Sequence, residues 1–305
     1  HWMVHSFPTR RSSDLNGLGV EVPNKGAIDW TGVDVLGIAS GAPNFTYWNH
    51  NFDRSQYDEL RLFNRALTDA DVQAIIQNDK PYVPKNGEIF YMPFEGTYKD
   101  LIGNKEATKV GSPAFAAGKI GKAYAGAADS YLTFPAAGLT KTSSLSAAFW
   151  MKINATPDRA GILVMGPPDE AAPAAPNNRK SGFRFFREGS ATAQIFKLNT
   201  GNGTADSWFD GGAAATIDPT PEAWVHFAYT ISPTECVVYI NGEVVKQGTI
   251  TGISWEGCDI LSIMSGAPRF TGWNHFSDLS LMDELHIFNK ALTQAEVKEI
   301  MNAEK

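Results

Sequence analysis

The side chains best suited to hold a ligand lie together in residues 265–275, which read SGAPRFTGWNH. Gly266 and Pro268 follow an apolar run, and they predict a loop at this point. Exposed aromatic rings can stack on the apolar face of a sugar, while amide and imidazole groups bind its hydroxyls. The candidate ligand-binding residues of this loop are Arg269, Phe270, Trp273, Asn274 and His275.

The same loop has a structural interpretation that the sequence favours equally. Trp273 would pin the loop to the edge of the fold, and His275 and Asp278 would hydrogen-bond each other. Residues 40–50, SGAPNFTYWNH, repeat the segment with the same Trp, Asn and His but with two different residues at its tip. A constant frame with altered tips fits a structural loop as well as it fits a binding site.

Trp208 is a further candidate for ligand contact. It lies with Phe209 in a glycine-rich segment, residues 201–212, GNGTADSWFDGG. Residues 166–182, GPPDEAAPAAPNNRKSG, predict a long exposed loop, and loops of this length often carry function. Both segments can equally be plain connections between strands.

The repeat extends well beyond the loop. Residues 16–80 align without a gap with residues 241–305, and roughly half of the positions are identical. Such self-similarity indicates two copies of one fold. The second copy is preceded by a long upstream part, residues 87–240, for which the first copy has no equivalent.

Composition narrows the class of partner. The 305 residues carry 26 basic and 33 acidic side chains, a net charge of −7, with no basic cluster, which argues against a nucleic-acid partner. No apolar run approaches the ~20 residues that a membrane span needs. Two cysteines, Cys236 and Cys258, either form one bridge or serve as small buried apolar residues.

Residues 87–289 read as one short strand after another. Segments rich in β-branched and aromatic residues alternate with Gly, Pro, Asn and Asp. Asn241-Gly242 predicts a tight hairpin, since the pair suits a type I′ turn. Many short strands with no helices between them predict an all-β fold, an antiparallel jelly-roll β-sandwich.

One short helix is predicted to close each copy. Thr293 and Glu296 have the spacing of a capping box, and apolar residues recur after them at helical spacing. Thr68 and Asp71 repeat the pattern in the first copy, where Pro81 ends the helix and begins a short linker.

An ordered set of segments in the second copy resembles a known family. The set runs GKIGKAY, LSAAFWMKI, WVHFAYTIS, YINGEVV and MDELHIFN, followed by the closing helix. It is similar to the laminin G-like, concanavalin A-like jelly-roll domains of bacterial surface and secreted proteins. The resemblance covers nearly all of residues 87–305 and the tail half of such a domain at 16–80, and it implies a fold that serves binding modules, spacers and enzymes alike.

A calcium site is one interpretation of the turn at Asp100 and Asn104, whose oxygens suit this hard cation. The resemblance implies that an acidic residue of the MDEL strand lies near this turn. Asp283 is the candidate, since it precedes Leu285 and Ile287 on what is expected to be the inward face. The alternative is that Asp100 and Asn104 form an Asx turn and that Asp283 accepts hydrogen bonds from loop amides.

Catalysis is not expected. Hydrolases with the resembled fold place a carboxylate pair on one strand, commonly as Glu-x-Asp-x-x-Glu, to flank the scissile bond. This spacing is absent from the sequence. Asp283 and Glu284 are adjacent, so a regular strand would point them to opposite faces.

The predicted organisation has four parts. Residues 1–15 include SFPTRRSSDL, which resembles the translation of a common sequencing adapter, so we exclude them from the fold as a joined artefact. Residues 16–80 are the C-terminal part of a truncated domain, 81–86 are a linker, and 87–305 are a complete domain.

The sequence therefore predicts a non-catalytic module that binds a glycan or another extracellular ligand, within a larger, secreted or cell-surface protein of bacterial type. The alternatives are a structural or adhesive spacer repeat without a small-molecule site, or an accessory module of a polysaccharide hydrolase or lyase. Neither the ligand nor the oligomeric state follows from the sequence.

Overall fold

The structure of the protein is a computed structural model that describes residues 3–4, 11–15, 18–21, 29–57, 60–78, 82–168 and 178–304. The chain divides into two compact units, His1–Pro81 and Tyr82–Lys305. Neither of the helices in these ranges is long and apolar enough to cross a membrane.

The described residues of the first unit form a small antiparallel sheet and one helix. Their bounds are β1 Met3–Val4, β2 Arg11–Leu15, β3 Leu18–Glu21 and α1 Asp69–Asn78. Although the sequence analysis excludes residues 1–15 from the fold, the backbone of β2 pairs with both β1 and β3. The origin of this segment as an artefact stays a prediction.

In its described residues, the second unit is built almost wholly of strands, with two short 3₁₀ turns, Ala136–Gly138 and Gly212–Ala215. Its first strands are β4 Phe90–Met92, β5 Lys99–Asp100, β6 Lys105–Glu106, β7 Thr108–Val110, β8 Ala114–Ala117, β9 Lys122–Ala125, β10 Tyr131–Pro135, β11 Leu145–Lys152 and β12 Arg159–Met165. The later strands are β13 Ser181–Ser190, β14 Ala193–Asn202, β15 Asp206–Asp210, β16 Thr216–Ile217, β17 Trp224–Ile231, β18 Glu235–Ile240, β19 Glu243–Thr249, β20 Ile260–Ile263 and β21 Leu281–Phe288. Helix α2, Gln294–Ala303, follows them.

Two large antiparallel sheets form the sandwich. Sheet A has the order β15-β14-β13-β12-β20-β10-β7, with β16 paired to β14. Sheet B has the order β19-β18-β17-β11-β21-β9-β8, with β4 paired to β21. The prediction of an antiparallel, all-β sandwich with a short C-terminal helix is confirmed.

An aromatic core joins the two sheets. The ring of Phe185 on β13 lies 5.9 Å from that of Phe149 on β11, and Phe196 on β14 lies 4.2 Å from Phe227 on β17. All four rings are fully buried or nearly so, and burial of each contributes about 1.5–3 kcal/mol. Because strand residues alternate between faces, the neighbours of these residues point to the outer faces of the sandwich.

Both helices begin with the predicted capping box. The Thr293 backbone N–H donates to the Glu296 carboxylate at 2.7 Å, and the Thr293 hydroxyl accepts from the Glu296 backbone N–H at 3.3 Å. Thr68 and Asp71 make the same pair of bonds at 2.7 and 3.1 Å. These bonds satisfy backbone donors that have no partner inside a helix. The apolar side of α2 then packs on the outer face of sheet B, where its buried residues are Val297, Ile300 and Met301.

Among the described residues, the segments that form β20 and β21 in the second unit do not form strands in the first. Residues 35–38 and 56–63 are the counterparts of β20 and β21, but their described part is not in strands. Leu261 on β20 is fully buried, whereas its counterpart Leu36 is 64% exposed. Strands β20 and β21 pair with β10, β11 and β12, which have no counterpart in residues 16–80. The local sequence therefore determines the helix, while the strands need neighbours from the upstream part of the domain.

The two cysteines do not form a bridge. Cys236 and Cys258 are free, and both lie buried in the core of the second unit. Burial raises the pKa of Cys236 to about 12 and that of Cys258 to about 11. They serve as small apolar residues, which is one of the two alternatives that the sequence leaves open.

Candidate ligand-binding site

The loop between β20 and β21 is held by its own backbone. The Gly266 N–H donates to the His275 carbonyl at 2.9 Å, the Phe270 N–H to the Gly266 carbonyl at 2.6 Å, and the Asp278 N–H to the Met264 carbonyl at 2.9 Å. A Cβ on Gly266 would lie 2.1 Å from the His275 carbonyl oxygen, so only glycine fits there. The chain therefore makes a closed, compact turn over the outer face of sheet A.

The first copy of the loop has the same backbone bonds, although it lacks the surrounding sandwich. Gly41 N–H donates to the His50 carbonyl at 2.8 Å, and Phe45 N–H donates to the Gly41 carbonyl at 2.5 Å. The shared residues are thus sufficient to specify the shape of the loop. This agreement supports a structural role for most of them.

Asn274 belongs to this structural set. Its φ is +62°, and that of its counterpart Asn49 is +60°. Asparagine adopts the left-handed region at lower cost than most residues. Backbone conformation alone therefore accounts for an Asn at this position in both copies, although Asn274 is exposed.

Phe270 and His275, two of the candidate ligand-binding residues, lie on the buried side of the loop. They are 0% and 1% exposed, and their rings stack at 4.8 Å between centroids. Both rings also pack on Phe186, which sheet A presents on its outer face. These two rings anchor the loop to the sheet, and their contact with a ligand stays a prediction.

The predicted pairing of His275 with Asp278 is wrong. Asp278 instead forms a fully buried, two-pronged ion pair with Arg187, with N–O distances of 2.7 and 3.0 Å. The acid closest to His275 is Glu188, whose Oε2 is 3.4 Å from Nε2. Burial outweighs this carboxylate and lowers the pKa of His275 to about 4, so the ring is neutral at neutral pH.

Arg269 turns away from the loop tip. Its Nη2 lies 2.5 Å from Oδ1 of Asp259, and the side chain is only 13% exposed. The guanidinium charge is therefore neutralised directly before the first residue of β20. The geometry does not present Arg269 as a free cation for a ligand.

Trp208 and Trp273, by contrast, meet at the surface. Their ring centroids are 5.8 Å apart at an interplanar angle of 32°, and they are 40% and 41% exposed. Trp208 projects outward from β15 because its neighbour Phe209 points into the core. Trp273 reaches it from the loop, edge-on to the buried ring of Phe270 at 5.7 Å. We call these two side chains the tryptophan pair.

Arg179 completes this surface, and the sequence analysis missed it. Its guanidinium carbon lies 4.7 Å from the ring centroid of Trp273 and 5.6 Å from that of Trp208. Asp206 fixes the guanidinium through a 2.6 Å bond from Nε, and Asn199 donates to the same carboxylate at 3.0 Å. The sequence could have indicated it, because Arg179 is a basic residue near the end of the predicted loop 166–182. Residues 169–177 of that loop lie outside the described residues.

The three residues proposed for calcium are not brought together by any hydrogen bond or ion pair among the described residues. The Asp100 carboxylate accepts from the backbone N–H groups of Tyr91, Ile102 and Gly103 at 2.9–3.1 Å. Asn104 is exposed with a φ of +55°. The Asx-turn geometry is thus present, and calcium at these residues stays a prediction.

Asp283 does not lie on the inward face, because β21 contains a bulge. Ala148 pairs with His286 but Trp150 pairs with Asp283, and Glu284 has a φ of +51°. The extra residue breaks the alternation, so Asp283 shares the outer face of sheet B with Trp150. There it accepts from the Ile120 N–H at 3.0 Å. Burial, with a contribution from Glu284, raises the pKa of Asp283 to about 7.

A buried polar cluster on this face was also missed. Tyr91 donates to Glu284 at 2.7 Å, His286 Nε2 lies 2.8 Å from Glu304, and the Trp150 indole donates to Glu304 at 2.8 Å. Ligand atoms of Glu284, His286 and Glu304 lie within 4.8 Å of one another. Because Glu304 follows α2, the cluster fastens the end of the helix to sheet B.

Comparison with known proteins identifies the family. Residues 126–298, more than half of the chain, match a laminin G family model described as the concanavalin A-like lectin/glucanases superfamily. The chain belongs to this superfamily. The resemblance inferred from the segments of the second copy is thereby confirmed. No curated protein matched the sequence.

Solved structures share the superfamily fold at low identity. Domain 4 of AbnA, an extracellular GH43 arabinanase from Geobacillus stearothermophilus solved with arabinotriose, is 22% identical with a TM-score of 0.52, covering 70% of this chain and 98% of the domain. Botulinum neurotoxin type C, in work on its interaction with two ganglioside molecules, is 14% identical with a TM-score of 0.51. The binding domain of Paraclostridial Mosquitocidal Protein 1 is 13% identical, also with a TM-score of 0.51. For each of these last two structures the match covers 72% of this chain but only 52% of the other.

Proposed function

We propose that the second unit is a non-catalytic carbohydrate-binding module and that the tryptophan pair holds the sugar. The observation that carries this proposal is the meeting of two half-exposed indoles, 5.8 Å apart, on the outer face of sheet A. Indole faces stack on the C–H face of a sugar ring, and nearby polar groups take its hydroxyls. Asp206 and Arg179 lie beside the rings and are the polar groups that would hydrogen-bond the sugar hydroxyls.

The comparisons add support at the level of fold. The similar arabinanase domain was solved with arabinotriose, and the similar neurotoxin is linked to gangliosides. By analogy, we place the protein outside the cell or on its surface, as one module of a larger chain. The proposal includes no catalytic step, since Asp283 and Glu284, whose carboxyl pKa values are raised to about 7, are buried on the opposite sheet.

A structural spacer is the second candidate function. The contact of Arg179 with both indoles favours it, because a cation already occupies part of the ring surface. On this alternative, Arg179 and the tryptophan pair hold the loop against β15 and against the segment before β13. It would then matter for stability and not for ligand binding.

A glycan array probed with the full chain separates the two candidates. Trp208→Ala and Trp273→Ala should each lower affinity for a bound glycan by about tenfold, which corresponds to about 1.4 kcal/mol. Trp30→Ala, which removes an exposed indole in the first unit, is the matched control and should leave binding unchanged. A spacer would bind no glycan, or would bind one equally well after both changes.

A further inference from the structure

The first copy of the repeat, residues 16–80, keeps side chains whose counterparts in the second copy, residues 241–305, bind partners outside the repeat. Asp278 pairs with Arg187 on β13, and both side chains are fully buried. Its counterpart Asp53 is exposed. The two aspartates are nevertheless held alike, because each accepts a 2.8 Å bond from the N–H of the serine two residues further on. Asp53 therefore has the local geometry of a partner for Arg187.

The aromatic anchor of the loop is kept in the same way. Phe270 and His275 pack on Phe186, which also belongs to β13. The rings of their counterparts, Phe45 and His50, lie 5.0 Å apart between centroids, against 4.8 Å in the second copy. Strand β13 has no counterpart in the first copy. The first copy thus forms the anchor without the sheet surface on which the second copy packs it.

The apolar side chains that β20 and β21 bury in the sandwich are kept as well. Leu261 on β20 and Leu285 on β21 are fully buried. Their counterparts, Leu36 and Leu60, are 64% and 58% exposed, an unfavourable state that a partner sheet would relieve. In the second unit, β10, β11 and β12 provide that partner.

The connection between the copies fits an exchange of one for the other. Glu304, just beyond α2, lies 2.8 Å from Nε2 of His286, whose ring stacks on Tyr91 at 4.3 Å. Tyr82 packs on the same ring at 4.5 Å, so the start of the second unit lies near the end of α2. Helix α1 ends at Asn78, only four residues before Tyr82. In the place of α2 it would end beside the point where the chain enters the second unit, and domains whose ends lie close together tolerate such a circular permutation.

We propose that residues 16–80 can take the place of residues 241–305 in the sandwich of the same chain. The exposed apolar residues of the first copy would then be buried against the upstream part of the domain, residues 82–240. Asp53 would pair with Arg187, which needs a carboxylate wherever it is buried. The inference goes beyond carbohydrate binding and does not depend on it.

The second copy has the advantage in this competition. Met264 and His286 are buried in the second unit, and the first copy has Ala39 and Arg61 in their places. The smaller Ala39 would leave a cavity, and Arg61 would bring a longer, charged side chain into a buried site. The first copy should therefore be the minor partner in the wild type and the main partner when the second copy is damaged.

Full-chain variants in which one copy is damaged at a time test the proposal. Leu261→Asp with Leu285→Asp places charges in the buried strands of the second copy. Leu36→Asp with Leu60→Asp makes the matched change in the first copy. Amide hydrogen exchange, resolved by peptide, reports which copy is in the sandwich.

The variant with the damaged second copy should keep a folded sandwich. We expect it to protect β11 and β12 at least about a hundredfold more than a chain with both copies damaged. Its residues 35–38 and 60–63 should exchange about tenfold or more slowly than in the wild type, while β20 and β21 lose protection. Damage to the first copy alone should leave the exchange of the second unit unchanged.

A further change tests the role of Asp53. Asp53→Asn, added to the variant with the damaged second copy, should lower the protection of β11 and β12 by about tenfold or more, because it leaves Arg187 without a carboxylate. Asp34→Asn is the matched control and should keep the protection, since its counterpart Asp259 has a side chain that is 61% exposed.

Three results would each overturn the proposal. Equal loss of protection in the variant with the damaged second copy and in the doubly damaged chain would mean that the first copy does not enter the sandwich. Protection that stayed at β20 and β21 would mean that even a damaged second copy is preferred to the intact first one. A rescued variant that eluted as a dimer in size-exclusion chromatography would place the first copy in a neighbouring chain instead of its own.

Discussion

At the scale of single residues, Trp273 and Phe270 lie side by side in one loop but have different environments. Trp273 is 41% exposed, whereas Phe270 is fully buried against Phe186. We expect Trp273→Ala to lower the free energy of unfolding by about 1–2 kcal/mol, because it loses mainly its aromatic contacts. Phe270→Ala should cost about 3–5 kcal/mol, since it leaves a cavity.

Urea unfolding of the two variants beside the wild type measures this difference. Equal costs would mean that Trp273 is as much an anchor as Phe270, and would favour the spacer. A small cost for Trp273→Ala, combined with lost glycan binding, would assign its indole to the ligand.

Sequence reasoning found both tryptophans but not their contact. Trp208 and Trp273 are 65 residues apart, and only the pairing of β14 with β15 and the closure of the loop bring them together. The sequence also does not show which aromatic ring of the loop faces outward. Phe270 and His275 have the same chemistry whether they contact a ligand or pack on Phe186, so residue type alone could not separate the two roles.

At the scale of elements, the bulge in β21 is a feature that the alternating residue pattern did not predict. Met282, Leu285 and Ile287 all point into the core. Met282 and Leu285 are three residues apart, which a regular strand cannot place on one face. The three-residue spacing of Met282 and Leu285 therefore indicates a bulge. The prediction that Asp283 points inward counted two residues back from Leu285 and so assumed a strand without a bulge.

Glu284, the bulged residue of β21, should make the stability of the fold depend on pH. The Glu284→Gln change should reduce this dependence. Burial, together with Glu304 and Glu95, raises the pKa of Glu284 to about 7 from its usual 4.5, against the opposing effects of Tyr91 and His286. A raised native pKa means that the unfolded state ionises first, so the stabilisation present below pH 4.5 is lost as pH rises through 7. The loss at this one carboxyl is on the order of 3 kcal/mol.

Urea midpoints measured from pH 5 to pH 8 give the test as a difference between proteins. The wild type should lose more stability across this range than Glu284→Gln, which cannot ionise. Glu299→Gln, on the exposed side of α2, is the control and should follow the wild type. His275 titrates with the opposite sign, because its pKa is lowered, but it is common to all three proteins and cancels. Parallel curves for Glu284→Gln and the wild type would contradict the assignment.

At the scale of the whole molecule, the internal repeat acts as an experiment within one chain. The copies share the loop bonds and the capping box, which depend on residues close in sequence. They differ at β20 and β21, whose partner strands are far away in sequence. The sandwich could be predicted from the sequence because its alternating patterns of apolar and polar residues are long. The sequence of residues 16–80 alone could not show which of its predicted strands would form.

The same contrast predicts how two fragments behave. Residues 16–80 expose large apolar side chains, including Trp30, Leu36, Trp48 and Phe52, and among their described residues only Val72 is a buried apolar side chain. Residues 82–305 contain the whole sandwich, and Tyr82 belongs with it because its ring lies 4.5 Å from that of Tyr91. The predicted linker at 81–86 is therefore partly fixed to the second unit.

Amide hydrogen exchange on the separate fragments measures the difference. We expect residues 82–305 to unfold cooperatively and to protect the strands of sheets A and B, since their apolar faces are mutually buried. Residues 16–80 should exchange rapidly almost throughout, because a short helix and a loop cannot bury enough apolar surface to offset chain entropy. A monomeric, well-protected 16–80 fragment would contradict this argument. It would mean that the local bonds shared by the two loops are sufficient for an independent fold, and that the strands of the second unit owe less to β10, β11 and β12 than their pairing implies.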